Sequence, residues 1–363
     1  MITGNKGEWS EIYTLFKLLG DGKVHAGDAD MNKLPLYYPI LNVIRQESKL
    51  YEYKPDVNKN IVIIDGDGAE IVRISMNRFV EESKRLLYNI KNGKGKGAFE
   101  IPSAQAFMEE VHCEKLKAKS TDKADIHIVI HDLRTNMTPN LGFSIKSQLG
   151  SPSTLLNPGV STNFEYKIVG GDKEMDDEDA AYINSIKDHR PRMEEIYRRN
   201  YRLKFNAVQN GTFENNLFFL DSCMPEFVAR CLLVNSLTSE SSIRFAVEEV
   251  AKDNPFGYKG NILSFYEYKM KKLLLASALG MTPAKEWNGR FDANGGYLVV
   301  RKDGEIVCYH FYNQNDVEDY LYNNTRLDRA SRGRYNYGVI YKKEEEGKYN
   351  FLINLNLQIR FKK

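Results

Sequence analysis

The amino-acid sequence predicts an α/β protein with a mixed central sheet flanked by helices. The first observation is a β-rich hairpin over residues 124–150, in which apolar and polar residues alternate. The second is a series of amphipathic helical segments that could cover such a sheet, beginning near the N-terminus. The third is a return to β-type sequence after residue 296. These features predict strands and helices mixed along the chain.

Length and composition set broad limits on the protein. The chain has 363 residues, which is enough to bury a sizeable core as one elaborated domain or as two. Hydrophobic residues make up 42% and charged residues 28%, which is typical of globular proteins. The formal net charge is only +2, so overall basicity does not indicate a nucleic-acid partner. A DNA-binding face would have to come from charge that is concentrated locally.

Cysteine usage and hydropathy indicate a cellular compartment. The four cysteines lie far apart, without the spacing of a zinc site or a redox motif, so we expect them to be reduced and mostly packed. We find no pattern typical of a signal peptide and no apolar run of about eighteen residues. These features predict a cytoplasmic protein that is not secreted and does not span a membrane.

The segment Gly4–Gly22 predicts a helix. Its large apolar residues recur at helical spacing, and Gly20 and Gly22 supply a stop signal. The recurring residues are Trp9, Ile12, Tyr13, Phe16 and Leu19. Glu8 and Glu11 are three residues apart, so both side chains point to one side of the first turns. They suit either favourable charges near a positive helix N-terminus or ligands carried by the helix.

Further elements are predicted before residue 117. They are a hairpin at Asn60–Met76 and amphipathic helices at Phe79–Ile90 and Ala104–Leu116. The glycine-rich loop Asn92–Gly97 separates the two helices and carries Lys94 and Lys96. These lysines suit either a solvated loop or a loop that contacts phosphates and becomes ordered on DNA.

The segment Ala124–Gly150 predicts a hairpin that brings polar side chains together. Side chains alternate along a strand, so Ser144, Lys146 and Gln148 share a face of the second run. With the polar faces aligned, Asp125 of the first run comes close to Ser144 and Lys146. A carboxylate beside a lysine at the rim of a sheet suits a divalent metal held against a phosphodiester. The alternative is an ordinary amphipathic hairpin with a solvated lysine.

Small polar residues follow this hairpin, and a basic segment comes later. The residues whose hydroxyls and amides could reach phosphates or bases are Ser151, Ser153, Thr154 and Asn163. Connecting turns explain this segment equally well. A strand is predicted at Phe164–Val169. The basic segment Pro191–Lys204 could track a DNA backbone as a helix, although its arginines can equally pair with Glu194 and Glu195.

The C-terminal half predicts a helical core, further strands and an arginine-rich segment. Apolar helices occupy roughly 216–279, and a hairpin starts at Gly296. The arginine-rich segment Thr325–Gly338 also contains Asn336. Its arginines are Arg326, Arg329, Arg332 and Arg334. Guanidinium forks match both guanine edges and phosphates, so DNA contact is favoured over a solvated basic loop.

Several of these motifs resemble known nucleases. Asp125 followed by Ser144-Ile145-Lys146 resembles the PD-(D/E)xK signature, with Ser144 where that signature usually has an acid. Lys6-Gly7 followed by Glu11 resembles the first helix of those nucleases, whose glutamate reaches the metal. Longer blocks resemble the HpaII-type restriction endonucleases over nearly the whole chain. They are NKGEWSEIYTLFKLLGDGKVHAGDADMNKL, LGFSIKSQLGSPSTLLNPGVSTNFEYKI and TRLDRASRGRYNYG.

The resemblance implies a fold, a reaction and partners. The fold would be a restriction-endonuclease-like PD-(D/E)xK core in residues 1–170, with helical and β elaborations in 171–363 that grip and read DNA. The reaction would be the hydrolysis of duplex DNA at a short specific site by a type II restriction endonuclease that uses one or two Mg²⁺ ions. CCGG is the target of one member of that family, and the target of this sequence stays open. The resemblance also implies a cognate DNA methyltransferase and the cytoplasm of a prokaryote. A homodimer and a monomer both stay open.

The resemblance further assigns roles to individual residues. The implied metal ligands are Asp125, Glu11, Glu8 in second place, and the backbone carbonyl of Ile145. Lys146 would position the water and stabilise developing charge. Ser144 and Gln148 would contact the metal through water or through their neutral oxygens. Two other interpretations stay open. One is a DNA-binding module without cleavage, and the other is a structure-specific or repair nuclease with the same core.

Overall fold

The chain folds into two compact units. A computed structural model describes residues 2–93, 97–117, 124–171, 173–291, 293–330, 334–345 and 347–362. The first unit contains Met1–Ser153 and Phe291–Tyr320, and the second contains Thr154–Arg290 and Leu321–Lys362. The first unit is therefore built from two separate stretches of the chain.

Helices and strands are mixed along the chain, so the predicted mixed α/β class is confirmed. The helices are α1 (Lys6–Asp21), α2 (Met76–Asn92), α3 (Pro102–Glu110), α4 (Asp177–Ser185), α5 (His189–Arg198), α6 (Gly211–Leu220), α7 (Met224–Leu237), α8 (Ile243–Asp253), α9 (Ile262–Leu279) and α10 (Gln314–Asn324). Within the described ranges, none of the helices is both long enough and apolar enough to cross a membrane.

The strands are distributed over both units. They are β1 (Thr3–Gly4), β2 (Lys23–Gly27), β3 (Lys33–Gln46), β4 (Leu50–Asp56), β5 (Ile61–Gly66), β6 (Ala69–Ser75), β7 (Phe99–Glu100), β8 (Ile126–Ile130), β9 (Asn140–Ser147), β10 (Thr154–Leu156), β11 (Asn163–Gly170), β12 (Tyr201–Val208), β13 (Gly296–Val300), β14 (Ile306–His310), β15 (Thr325–Leu327), β16 (Ile340–Glu345), β17 (Lys348–Asn356) and β18 (Ile359–Phe361).

A large mixed sheet organises the first unit. Its strand order is β2-β14-β13-β9-β8-β3-β4-β5-β6, and β2 also pairs with β3. Strand β13 lies parallel to β9 and pairs Tyr297 with Ser144 and Val299 with Lys146. Strand β13, from the C-terminal half of the chain, is thus the direct neighbour of β9, which carries Lys146.

Helix α1 forms as predicted: its capping residues and its apolar face lie where the sequence pattern places them. The side chain of Asn5 accepts hydrogen bonds from the Gly7 and Glu8 backbone N–H groups at 2.8 and 3.1 Å, and the Glu8 side chain accepts from the Asn5 N–H at 2.9 Å. Gly22 ends the helix in the left-handed conformation, with φ 64°. The apolar face packs against β2, β3, β4 and β9. The buried side chains at its centre are Trp9, Ile12, Leu15, Phe16 and Leu19.

The predicted hairpin over 124–150 is confirmed as β8 and β9. The strands pair antiparallel, with Ile126 opposite Phe143 and Ile128 opposite Leu141. Ile126, Ile128 and Ile130 are buried, whereas the residues between them are partly or fully exposed. This alternation gives the hairpin one core face and one more polar face, as the sequence pattern predicts.

The second unit combines helices with two smaller sheets. One sheet has the order β12-β11-β17-β16, and the other has the order β10-β18-β15. Tyr166 of β11 is buried, and its hydroxyl donates to the Ala229 carbonyl of α7 at 2.6 Å. The predicted strand at Phe164–Val169 is confirmed by β11, and the predicted apolar helices between 216 and 279 are confirmed by α6 to α9.

Two predicted helices are shorter than expected. Helix α3 ends at Glu110 rather than near Leu116, because Val111 leaves the helical conformation. The basic segment predicted as one helix divides into α5, which ends at Arg198, and β12, which begins at Tyr201. Its arginines pair within the helix, since both Arg198 and Arg199 donate to Glu195 at 2.7 Å. Of the two interpretations of this segment, the pairing of its arginines with a nearby glutamate is therefore the one observed.

The N-cap of α1 gives a prediction about stability. Replacing Asn5 by alanine removes the two hydrogen bonds that its side chain accepts, so we expect the free energy of unfolding to fall by about 1 kcal/mol. Urea unfolding followed by circular dichroism measures this change. Asn58→Ala is the matched control, because Asn58 is exposed in a turn outside any helix. Equal losses in the two variants would contradict the capping role.

Candidate active site

Asp125 is held in place by the neighbouring strand. It immediately precedes β8, and its backbone N–H donates to the Phe143 carbonyl at 2.8 Å. Its carboxylate oxygen Oδ2 accepts from the Ile145 backbone N–H at 2.6 Å and from the Ser144 hydroxyl at 3.1 Å. The predicted proximity of Asp125 to Ser144 is confirmed. Two donors therefore orient the carboxylate by binding one of its oxygens.

Ser144 acts on Asp125 rather than adding charge. It lies on β9, is only 4% exposed, and donates its hydroxyl hydrogen to the Asp125 carboxylate. A neutral side chain at this position leaves the site one negative charge short of the signature it resembles. The missing charge must come from another element if a metal is to be held here.

Lys146 lies two residues further along the same face of β9. Its ammonium nitrogen is 5.4 Å from the centre of the Tyr297 ring, which comes from β13 and is fully buried. Burial raises the pKa of Tyr297 well above its usual value, and electrostatic interactions with Tyr320 and Asp125 add to that effect. The phenol is therefore neutral, and it presents an aromatic face to the lysine. Sequence reasoning missed Tyr297, because it is more than a hundred residues away along the chain.

Glu11 projects from α1 beside Asp125. Burial, followed by the charge of Asp125, raises the pKa of the Glu11 carboxyl to about 8, and the charges of Arg45 and Lys117 oppose the shift. Its oxygen Oε2 is buried and has no hydrogen-bond partner among the described residues. A buried carboxylate oxygen without a donor is costly unless a proton or a cation occupies that position.

Glu8 has a different environment from Glu11. One of its oxygens closes the capping box with the Asn5 N–H, and the other accepts from the Lys117 ammonium group at 2.8 Å. Burial raises the pKa of Glu8, but the hydrogen bonds from Lys117 and Asn5 outweigh it, and the pKa falls below its usual value. The two glutamates are three residues apart, yet only Glu11 has a buried oxygen that no described residue engages.

Two cations near the carboxylates were not predicted from the sequence. Arg45 of β3 is buried, donates to Glu47 at 2.8 Å, and also donates to the Lys115 carbonyl at 2.8 Å. Lys117 lies in the segment that leads towards Asp125. Both lower the pKa of Glu11 through their charge. They have no local motif, because Arg45 is brought close by the pairing of β3 with β8, and Lys117 by its ion pair with Glu8.

The donor set fits a hard divalent cation held by few protein ligands. Within the described ranges, no group of three or more His, Cys, Asp or Glu side chains could hold a metal. Glu11 and Asp125 nevertheless provide two neighbouring carboxylates, one of them with a buried oxygen that lacks a donor. Some hard cations bind through one or two carboxylates, with water and substrate oxygens completing the shell. The residues present are compatible with that mode.

The remaining predicted residues of the first unit lie beyond β9. Gln148 donates from Nε2 to the Met31 sulfur at 3.3 Å, and its Oε1 accepts from the Lys302 N–H at 3.3 Å. Ser151 is exposed and Ser153 is partly exposed. These side chains are therefore accessible from solvent in part, with Gln148 partly engaged in holding the loop that contains Met31.

The predicted polar residues of the second unit have contrasting environments. Thr154 is partly exposed in β10. Asn163 is fully buried, and its amide nitrogen donates to Gln209 Oε1 at 3.0 Å and to the Tyr335 carbonyl at 2.8 Å. Its amide oxygen accepts from Asn356 at 2.8 Å. We therefore remove Asn163 from the proposed DNA-contacting set, because its side chain is enclosed and used internally.

The arginines that the structure describes in the arginine-rich segment have different environments. Arg329 donates to the Thr238 carbonyl at 2.6 Å and to Asn235, so it caps the end of α7. Arg326 pairs with Asp328 at 3.3 Å. Arg334 and Asn336 are exposed. Arg332, like the loop lysines Lys94 and Lys96, lies outside the described residues.

Comparison with known proteins identifies the family. The family model described as HpaII restriction endonuclease matches residues 5–361. The chain belongs to the HpaII restriction endonuclease family. It is 43% identical over 362 residues to the type II restriction enzyme HpaII of Haemophilus parainfluenzae, which covers 99% of this chain and 98% of that protein. No solved structure matches the chain significantly.

Family membership confirms the predicted activity at a general level. The chain is a type II restriction endonuclease, so its substrate is DNA. Family membership therefore supports the restriction endonuclease over the two other interpretations, a binding module and a structure-specific nuclease. Type II restriction endonucleases generally depend on a divalent metal ion.

The raised pKa of Glu11 gives a prediction for the metal-free protein. The folded carboxyl has a pKa of about 8 and the unfolded one about 4.5, so the folded state retains its proton to higher pH. Stability should therefore fall as pH rises through this window, by at most about 1.4 kcal/mol per pH unit. Unfolding in urea with a chelator, compared between wild type and Glu11→Gln, should show the glutamine variant gaining relative stability from pH 5 to 8.

Glu8→Gln is the matched control for this measurement. The pKa of Glu8 is lowered, so its stabilising effect is present above the unfolded value and is lost only as pH falls. This variant should show no such gain between pH 5 and 8. If wild type and Glu11→Gln kept the same difference at every pH, Glu11 would be ionised normally and its burial beside Asp125 would be in error.

Proposed function

We propose that the first unit is a PD-(D/E)xK nuclease core that cuts duplex DNA with Mg²⁺. The observation that carries this proposal is the buried oxygen of Glu11, which has no partner among the described residues, beside the oriented carboxylate of Asp125. Together these residues would hold one or two ions, with the backbone carbonyl of Ile145 as a further ligand. Mg²⁺ suits such a site, since it is usually bound through one or two carboxylates, waters and phosphates.

The proposed chemistry divides between the ion and the side chains. When bound, Mg²⁺ lowers the pKa of a water molecule and neutralises charge on the phosphate. Asp125 is kept in one orientation by Ile145 and Ser144, which reduces the reorganisation required during the reaction. Lys146 lies on the same face of β9, where its ammonium group can orient the attacking water and stabilise charge on the phosphate oxygens. Ser144 acts through Asp125.

DNA contacts are proposed in both units. The cutting residues belong to the first unit, and the arginine-rich segment belongs to the second. We therefore assign cutting to residues within 1–170 and grip and reading chiefly to residues within 171–363. The proposed contacts are Gln148, Ser151, Ser153, Thr154, Arg326, Arg332, Arg334 and Asn336. Arg329 is a weaker candidate, because its guanidinium caps α7.

The biological setting follows from the chemistry of a restriction enzyme. CCGG is the first duplex to test, by relationship to the HpaII family. An enzyme that cuts a short site requires protection of the host genome, so a methyltransferase of the same specificity is the proposed counterpart, and the cytoplasm is the proposed location. A homodimer would present one copy of the site to each strand of a two-fold symmetric target.

Removing Lys146 tests the catalytic assignment. Wild-type protein should cut unmethylated plasmid into discrete fragments with Mg²⁺ and leave it intact with a chelator. Lys146→Ala should reduce cleavage by about a hundredfold or more while keeping DNA affinity within about tenfold, because it removes stabilisation of developing charge more than ground-state binding. Gel electrophoresis of the plasmid and a binding titration measure the two effects.

A second lysine variant controls for lost positive charge. Lys59 is 72% exposed in a hairpin turn and pairs with Asp56 at 3.2 Å, outside the site. Lys59→Ala should cleave like wild type. If Lys146→Ala also cleaved normally, Lys146 would not belong to the active site. If wild type cut without any metal, the proposed metal-dependent reaction would be wrong.

The two glutamates of α1 provide a matched pair for the metal site. Glu11→Gln keeps the size of the side chain but removes its charge, so cleavage should fall strongly and should be partly restored by raising the Mg²⁺ concentration. Glu8→Gln should retain most activity, because Glu8 caps the helix and pairs with Lys117. Cleavage rates at several Mg²⁺ concentrations distinguish the residues. The opposite ranking would transfer the ligand role to Glu8.

A further inference from the structure

The turn Arg334–Asn336 has an unusual backbone. Tyr335 has φ 58° and ψ 29°, and Asn336 has φ 59°, so two consecutive non-glycine residues lie in the left-handed region. Asparagine tolerates this region, whereas a bulky tyrosine seldom adopts it. Such conformations persist where the surrounding structure determines them, and they are concentrated at binding and catalytic sites.

A buried amide holds the centre of this turn. Asn163, which is fully buried in β11, donates from its amide nitrogen to the Tyr335 carbonyl at 2.8 Å. The same amide group is fixed by bonds to Gln209 and Asn356, at 3.0 and 2.8 Å. The turn is therefore attached to the four-strand sheet of the second unit by a side chain that is itself immobilised.

The residues after the turn are also anchored. The Gly338 N–H donates to the Asn354 carbonyl of β17 at 2.8 Å, and Arg192, which is 1% exposed, donates to the Gly338 carbonyl. The Tyr337 ring stacks on His189 with 4.7 Å between ring centres. Contacts from a strand and from α5 thus hold the chain immediately beyond the two left-handed residues.

The anchored turn presents polar side chains outward. Arg334 and Asn336 are exposed, and the Arg334 guanidinium lies 5.0 Å from the centre of the Tyr335 ring. An aromatic ring beneath a guanidinium restricts its orientation while leaving its donors available. A guanidinium fork matches the O6 and N7 atoms of guanine, and an amide can donate to and accept from base edges.

We propose that Arg334-Tyr335-Asn336 is a pre-organised turn that reads base edges in duplex DNA, with Asn163 as its positioning residue. The inference rests on the proposed DNA-cutting function and selects one part of the arginine-rich segment for reading. Arg326 pairs with Asp328 and Arg329 caps the end of α7, so their guanidinium groups are less available for reading bases than that of Arg334. A turn fixed during folding loses little conformational entropy on binding, so small differences between bases are retained as differences in affinity.

Glycine substitution separates a reading role from a structural one. Tyr335→Gly relieves the disfavoured backbone conformation, so stability should not fall greatly, but it frees the turn and removes the ring beneath Arg334. The protein is incubated without added metal with a pool of randomised duplexes, and bound DNA is sequenced. Wild type should enrich a defined motif. Tyr335→Gly should lose about tenfold or more of the preference at one or two positions of that motif.

Three further variants sharpen this experiment. Asn200→Gly is the matched control, since Asn200 has φ 59° in another turn of the same unit, and it should enrich the wild-type motif. Tyr335→Phe keeps the ring and should retain part of the base preference that Tyr335→Gly loses. Asn163→Ala removes the anchor and should weaken the same positions as Tyr335→Gly. Thermal unfolding of each variant verifies that the protein is folded.

The outcomes distinguish the turn from the cutting reaction. An unchanged motif in folded Tyr335→Gly would overturn the reading role, as would a wild-type protein that enriches no motif. The reading role would also be overturned if Asn200→Gly lost as much base preference as Tyr335→Gly at every position of the motif. Loosening any turn would then have the same effect. Failure of the proposed function would appear separately, as wild-type protein that binds its motif but does not cut it with Mg²⁺.

Discussion

The hydrogen bond from the Ile145 backbone to the Asp125 carboxylate is the contact on which the site depends. It joins the residue before β8 to the interior of β9, so strand register and side-chain chemistry are fixed together. A register shift of one residue would turn Ser144 and Lys146 to the opposite face. Because α1 packs on β9, the same register determines which glutamate of the helix approaches Asp125.

The electrostatics of the site follow from that arrangement. Ser144 contributes a donor where the signature that this hairpin resembles has an acid, and a second carboxylate, that of Glu11, comes from a different element. Burial and the charge of Asp125 make the ionised form of Glu11 unfavourable in the metal-free protein, which raises its pKa. A cation between the carboxylates would reverse that penalty. Arg45 and Lys117 offset part of the repulsion without occupying the same position.

The second unit shows how similar residues acquire different roles. Four arginines lie close together in sequence, yet Arg329 satisfies carbonyls at a helix end, and Arg326 shares Asp328 with Arg360. Arg334 projects from a turn that is fixed by a buried asparagine. Burying Asn163 requires that its donors and acceptor be satisfied, and that requirement immobilises the turn. Hydrogen bonds of a buried side chain thereby fix the conformation of an exposed turn.

Patterns among neighbouring residues were sufficient to predict the local elements. Helical spacing and terminal glycines defined α1, and alternation defined β8 and β9 and the face shared by Ser144 and Lys146, because these periodicities are contained within one element. Family motifs in the sequence identified a restriction endonuclease. Only the tertiary structure separated Glu11 from Glu8, placed Tyr297 beneath Lys146, and enclosed Asn163. Those outcomes depend on how distant segments pack and on which polar groups are buried together, and neither is encoded in the spacing of neighbouring residues.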